Sequence, residues 1–123
     1  MNSFSGKYGP WAVVTGAAMG LGTEFARQLA AHGLSLVLVD IQTDALANTS
    51  DAIKHDFGVE VRPVTLDLGM DNFLPGLIAT TRDLEIGLLV NNAGISAIGH
   101  FLEVPLEKHL SILNINARAP MIL

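Results

Sequence analysis

Three observations predict an α/β fold in which a parallel sheet is covered by helices on both faces. Four short apolar runs, at 11–15, 35–40, 59–64 and 84–90, alternate with segments of helical periodicity. The connections between them are short, so the βαβαβαβ order calls for parallel strands joined by right-handed crossovers. The first run also enters a glycine-rich turn, Thr15-Gly16-Ala17-Ala18-Met19-Gly20-Leu21-Gly22, that opens a helix.

The 123 residues suffice for one modest domain. Half are apolar and 15% are charged, which excludes disorder and implies that much of the surface is meant to be covered. A net charge of −5 without any cluster of Lys or Arg argues against a nucleic-acid partner. No apolar run reaches membrane-spanning length, no basic amphipathic segment is present, and MNSFSGKYGPW does not read as a signal peptide, so no membrane partner is expected. There is no cysteine, hence neither disulfide nor thiol chemistry, and the expected compartment is cytoplasmic.

Residues 1–10 read as a leader onto the sheet. Trp11 to Thr15 is an apolar run of the kind buried on both faces of a parallel sheet. The helix after the glycine turn carries Leu21, Phe25 and Leu29 at i, i+4, i+8, with Ala26 and Ala30 beside them, a stripe expected to lie on the sheet, and it ends at His32-Gly33. Ser35 to Asp40 is the second strand, closed by a carboxylate. Thr43 to Phe57 is helical with Leu46, Ile53 and Phe57 on one side, and Gly58 stands past its end. Val59 to Val64 alternates as an outer strand, the place where Pro63 is tolerated. Asp71 to Arg82 forms a further helix with Pro75 near its first turn. Leu84 to Val90 is the fourth strand and ends in Asn91-Asn92-Ala93-Gly94, whose amides need partners. After a loop over 95–104, Pro105 suits the first turn of a last helix. That helix has two apolar stripes, Leu106, Leu110, Leu113 and Ala117 against Ile112, Ile115, Ala119 and Ile122, and so expects partners on two sides.

The glycine turn has a physical reading of its own. Gly16 allows a tight turn, Gly20 lets backbone approach a ligand, and Gly22 permits close packing of helix on strand. The helix N-terminus then presents unpaired N–H groups and partial positive charge to a phosphate. The alternative is a turn that uses glycines for shape alone. Asp40 stands where a dinucleotide fold places an acid to accept from the adenosine ribose hydroxyls, though a strand-ending Asp also starts turns. An acid there repels a 2′-phosphate, and neither Met19 nor Ile41 brings a compensating charge. NAD is therefore expected rather than NADP.

TGAAMGLG resembles the cofactor loop of the short-chain dehydrogenase/reductase family, and Asn91-Asn92-Ala93-Gly94 is similar to that family's NNAG segment. The resemblance covers essentially the whole chain and implies a Rossmann-type three-layer parallel sheet in the strand order 3-2-1-4. It implies cofactor contacts from Gly16, Met19, Gly20, Leu21 and Gly22, and from Asn91, Asn92, Ala93 and Gly94, with the two asparagines divided between structure and cofactor in a way left open. Asp67-Leu68 fits the family's acid and aliphatic residue along the adenine; helix capping reads equally well for the Asp67 side chain. Asn116 matches the family's catalytic asparagine. Pro120 has no N–H for the Asn116 carbonyl four residues back, leaving that carbonyl free for the water of a proton relay; a kinked core helix is the alternative.

The family's catalytic Ser and Tyr-x-x-x-Lys have no counterpart. The one tyrosine, Tyr8, precedes the glycine loop, and four residues beyond it stands Ala12. Residues 1–123 are therefore expected to be the cofactor-binding amino-terminal portion of a single domain, an incomplete sheet that is inactive alone. The complete protein is expected to be an oxidoreductase acting on a small-molecule carbonyl or secondary alcohol, a homo-oligomer through the last helix, and weakly similar to hydroxysteroid dehydrogenases and 3-oxoacyl-CoA reductases. The four histidines lack ligand spacing, so no metal is expected. A non-catalytic nucleotide-binding or assembly module is the rival reading.

Overall fold

Residues 3–123 are described by the computed structural model. Strands β1 (Trp11–Thr15), β2 (Ser35–Asp40), β3 (Val61–Thr65) and β4 (Ile86–Val90) form one parallel sheet in the order β3-β2-β1-β4. The pairing is in phase, Thr15 with Val39 and Asp40 with Thr65, so the carboxyl ends of the strands form one rim. Pro63 lies on the edge strand β3, where its missing N–H leaves no interior ladder bond unmade.

Because side chains alternate along a strand, each apolar run feeds two cores. Ala12, Val14, Leu36 and Leu38 face one side with helices α2 (Gly20–Ala31) and α3 (Thr43–Phe57), through Ala26, Leu29, Leu46 and Ile53. Trp11, Val13, Val37, Val39 and Val64 face the other, where α4 (Phe73–Thr81) adds Phe73 and Leu77 and the last helix adds Ala119. This is the expected three-layer α/β arrangement. Gly58 caps α3 in the left-handed conformation, with φ 67°.

Two expectations are corrected. Residues 4–8 are not a plain leader but a one-turn helix, α1 (Phe4–Tyr8), because the Ser3 hydroxyl accepts from the Gly6 N–H at 2.9 Å and Phe4 stacks on His32 at 4.7 Å. The buried face of α2 is Gly22, Ala26, Leu29 and Ala30, while Leu21 is 73% and Phe25 46% exposed. At its start the helix lies too close to the glycine turn for a side chain, so Gly22 takes the sheet-facing position there, while Leu29 keeps one further along.

The last helix is composite: α5 (Leu106–Leu113), a π turn over Asn114–Arg118, and α6 (Ala119–Ile122). The Ala119 N–H reaches back to the Asn114 carbonyl, so the departure from α geometry begins before Pro120. Its stripe of Ile112, Ile115, Ala119 and Ile122 is buried or half-buried, whereas Leu106, Leu110 and Leu113 are exposed. On β4, Ile86 and Leu89 are also exposed. Among the described residues, no helix is long and apolar enough to cross a membrane.

Candidate functional site

The rim of strand ends borders a cleft of about 310 Å³. Of the residues singled out from sequence, Gly16, Met19, Asp40, Asp67, Leu68, Asn92, Ala93 and Gly94 line it together. Gly20 and Leu21 stand exposed in the first turn of α2, Gly22 is buried beneath that turn, and Asn91 is exposed at the end of β4.

The glycines divide by role. Gly16 has φ +65°, and a Cβ there would stand 2.9 Å from both the Ala93 Cα and the Asn92 Nδ2. At Gly22 a Cβ would run into the Gly16 carbonyl oxygen and lie 2.6 Å from the Asn92 Nδ2. Gly20 has φ +62° with nothing within 4 Å of a Cβ, so conformation rather than crowding selects it. Met19, at the N-cap of α2, gives no side-chain cap, which leaves the helix's leading N–H groups for a partner from outside.

Polar side chains fix this loop to the neighbouring strands. Thr15, 1% exposed, accepts from the Asn92 and Ala93 N–H groups at 3.1 and 3.0 Å and donates to the Val90 carbonyl at 3.4 Å. The Asn92 Nδ2 donates to the Thr15 and Gly16 carbonyls, both at 3.1 Å. β1 and β4 are thus tied at the point where the chain leaves the sheet. The Asp40 carboxylate accepts from the Ala18 N–H through Oδ2 and from the Gln42 N–H through Oδ1, each at 3.0 Å. Asp67 accepts from the Gly69 N–H at 2.9 Å, and Leu68 is buried in the second core.

Asn116 does not line the cleft; its neighbour Ile115 does. The Asn116 amide makes a reciprocal pair with Ile95, accepting from its N–H at 2.9 Å and donating to its carbonyl at 2.8 Å. Ile41, read beside Asp40 as bringing no charge, lines the cleft too, and Val39, Gln42, Leu66, Ile95 and Ile115 join it without having been read as site residues. Gln42 was within reach as the second residue after Asp40. Ile115 had no local signal, since the fold brings it there from the last helix.

The cleft is lined by two carboxylates, apolar walls and no Lys or Arg. A turn of free N–H groups, a carboxylate with lone pairs to spare and apolar side chains match, in turn, a pyrophosphate, a ribose diol and an adenine ring. The residues present therefore fit a dinucleotide.

Strand order, glycine turn and strand-end acid define the class: a Rossmann-type fold. The chain belongs to the short chain dehydrogenase family, whose pattern matches residues 10–123. Members of that family are oxidoreductases. The chain is 39% identical over 114 residues to the very-long-chain 3-oxoacyl-CoA reductase of Rattus norvegicus, covering 89% of this chain and 36% of that protein. A solved structure of a 7beta-hydroxysteroid dehydrogenase superposes with a TM-score of 0.92 at 29% identity, over 99% of this chain and 47% of that one. L-Sorbose reductase from Gluconobacter frateurii, in complex with NADPH and L-sorbose, gives 0.88 at 29% identity, over 98% and 46%. The chain thus spans between a third and a half of the length of these proteins.

Proposed function

We propose that residues 1–123 form the cofactor-binding portion of an NAD-dependent oxidoreductase acting on a carbonyl or secondary alcohol. The observation that carries this reading is Asp40, oriented by two main-chain N–H groups beside a glycine turn in a cleft without Lys or Arg. Its oxygens keep lone pairs for a ribose diol, and its charge opposes a 2′-phosphate. NADPH is bound by the L-sorbose reductase neighbour, so the preference for NAD rests on Asp40 and the uncompensated charge of the cleft.

In this reading the first turn of α2, with Met19, Gly20 and Leu21, receives the pyrophosphate. Gly16 and Gly22 shape that turn, Asp67 and Leu68 flank the adenine, and the segment Asn91 to Gly94 lines the nicotinamide side. A bound nicotinamide supplies or accepts the hydride. Asn116 acts by position: its amide holds the Ile95 backbone, and its carbonyl, denied the Pro120 N–H, is available to a water that moves a proton. The substrate class follows what the relatives' names share, a carbonyl or hydroxyl carbon on an organic molecule. Homo-oligomerisation through the last helix is part of the proposal, on the exposed row Leu106, Leu110 and Leu113.

Titration with NADH and NADPH tests the reading. NADH is expected to bind tighter by roughly tenfold or more, and Asp40→Ser to narrow or reverse that ratio, a change of about 1.4 kcal/mol per tenfold. Equal affinity in the unsubstituted chain would sink the NAD assignment, and failure to bind either would sink the cofactor reading.

A further inference from the structure

The glycine turn is held by two consecutive peptide planes. In the plane between Ala17 and Ala18, the Ala17 carbonyl accepts from the Thr23 hydroxyl at 2.8 Å and the Ala18 N–H donates to Asp40, so both ends are taken. In the next plane, between Ala18 and Met19, the Ala18 carbonyl accepts from the Thr49 hydroxyl at 2.9 Å. Its other end is the N–H of Met19, which is the N-cap of α2 and one of the residues lining the cleft. A trans peptide points its N–H opposite to its C=O. A hydroxyl gripping the carbonyl from α3 therefore turns the Met19 N–H away from α3. Thr49 sits within α3, where a threonine hydroxyl commonly bonds back to the preceding turn; here it donates across to another element.

We propose that Thr49 is a positioning residue of the cofactor site, which aims the Met19 N–H at the phosphate-binding turn by holding the Ala18 carbonyl. This rests on the cofactor reading above and adds a residue outside the cleft wall. Asp40 and Thr49, from the end of β2 and from the helix that follows, fix successive planes of one turn. Ribose recognition and phosphate recognition are thereby set by the same βα unit.

The test compares Thr49→Val, which removes the donor at nearly constant volume, with Thr49→Ser, which keeps it. Binding of NADH, ADP and adenosine is measured by calorimetry, and exchange of the Met19 amide is followed without ligand. Loss of one neutral hydrogen bond predicts that Thr49→Val weakens NADH and ADP roughly three- to tenfold. Adenosine, which has no phosphate, keeps its affinity, Thr49→Ser restores the wild-type values, and the Met19 amide exchanges faster in the valine variant. Unchanged NADH affinity and Met19 exchange in folded Thr49→Val would overturn the proposal. So would an equal loss for adenosine, which would mark general loosening of the fold. Should the valine variant not fold, Thr49→Ala carries the same comparison. Failure of the unsubstituted chain to bind NADH would count against the cofactor reading, whereas the exchange measurement judges Thr49 separately.

Discussion

Gly22→Ala sets two effects of opposite sign against each other. Gly22 lies in the first turn of α2, where helix propensity alone would make alanine more stable by about 1 kcal/mol. The added methyl would run into the Gly16 carbonyl oxygen, with the Gly16 carbonyl carbon at 2.7 Å and the Asn92 Nδ2 at 2.6 Å. Neither neighbour can withdraw freely, because one is backbone and the other donates to the Thr15 and Gly16 carbonyls. Overpacking of this kind costs about 1–3 kcal/mol, and displacing Asn92 adds about 0.5–1.5 kcal/mol for each bond weakened. The clash wins, for a net loss of about 1–5 kcal/mol, centred on about 3, once the propensity gain of about 1 kcal/mol is subtracted.

Thermal unfolding followed by circular dichroism should show this as a fall in Tm of roughly 10 °C for a chain of this size. Gly20 provides the contrast: nothing stands within 4 Å, and φ is +62°, so alanine there meets only the left-handed penalty of about 1–2 kcal/mol. Asparagine tolerates that conformation and should recover part of the loss at position 20 but none at position 22. A Gly22→Ala variant as stable as the parent, or more stable, would refute the packing argument and leave helix propensity as the stronger of the two effects.

Thr15→Val keeps the shape of a buried residue but leaves the Ala93 N–H without its acceptor, while the Asn92 N–H retains the Val90 carbonyl at 3.1 Å; urea unfolding should show a loss of about 1–3 kcal/mol, the cost of one orphaned group. The Arg62 guanidinium donates to both Asp83 oxygens at 2.9 Å and holds that carboxyl at about 2, below its ordinary 3.8. A depressed carboxyl stabilises the fold fully above its unfolded value and loses that contribution as the pH falls from about 4 through about 2. Asp83→Asn should flatten that part of the stability profile, and added salt should shrink the difference between the two chains, because the pair is exposed.

Much of this arrangement was legible because it is written in short-range pattern. Apolar runs buried on both faces name the strands, and the brief connections leave little choice but parallel crossovers. Gly16 and Gly20 were readable since both adopt positive φ. On α2 the difference arose because close approach overrides apolar character. Leu21 and Phe25 outrank Gly22 on any hydrophobicity scale, yet the close approach of α2 to the Gly16 carbonyl reserves that position for glycine, and the buried face continues through Ala26, Leu29 and Ala30. Helix α1 hung on one serine cap amid glycines that argued for a loop. The π turn follows no local cue comparable to Pro120; within it stands Asn116, whose amide is paired with a main-chain unit 21 residues away.

The polar residues of the site are notable for what they bind within the chain. Thr15 engages three main-chain groups, Asn92 and Asn116 two each through their amides, Asp40 two and Asp67 one. These side chains set the course of the main chain at the strand ends. The surface left in the cleft combines backbone N–H groups of the glycine turn, the remaining lone pairs of Asp40 and apolar side chains such as Ile41 and Leu68. Backbone donors carry no residue identity, so a sequence can reveal such a site only through the residues that shape it. Glycines do this where a side chain would collide, as at Gly22, and amides where two carbonyls must be bridged, as at Asn92. Thr49 shows the limit of that logic: a hydroxyl in mid-helix leaves no motif, and its bond to the Ala18 carbonyl emerges only when α3 is packed beside the turn.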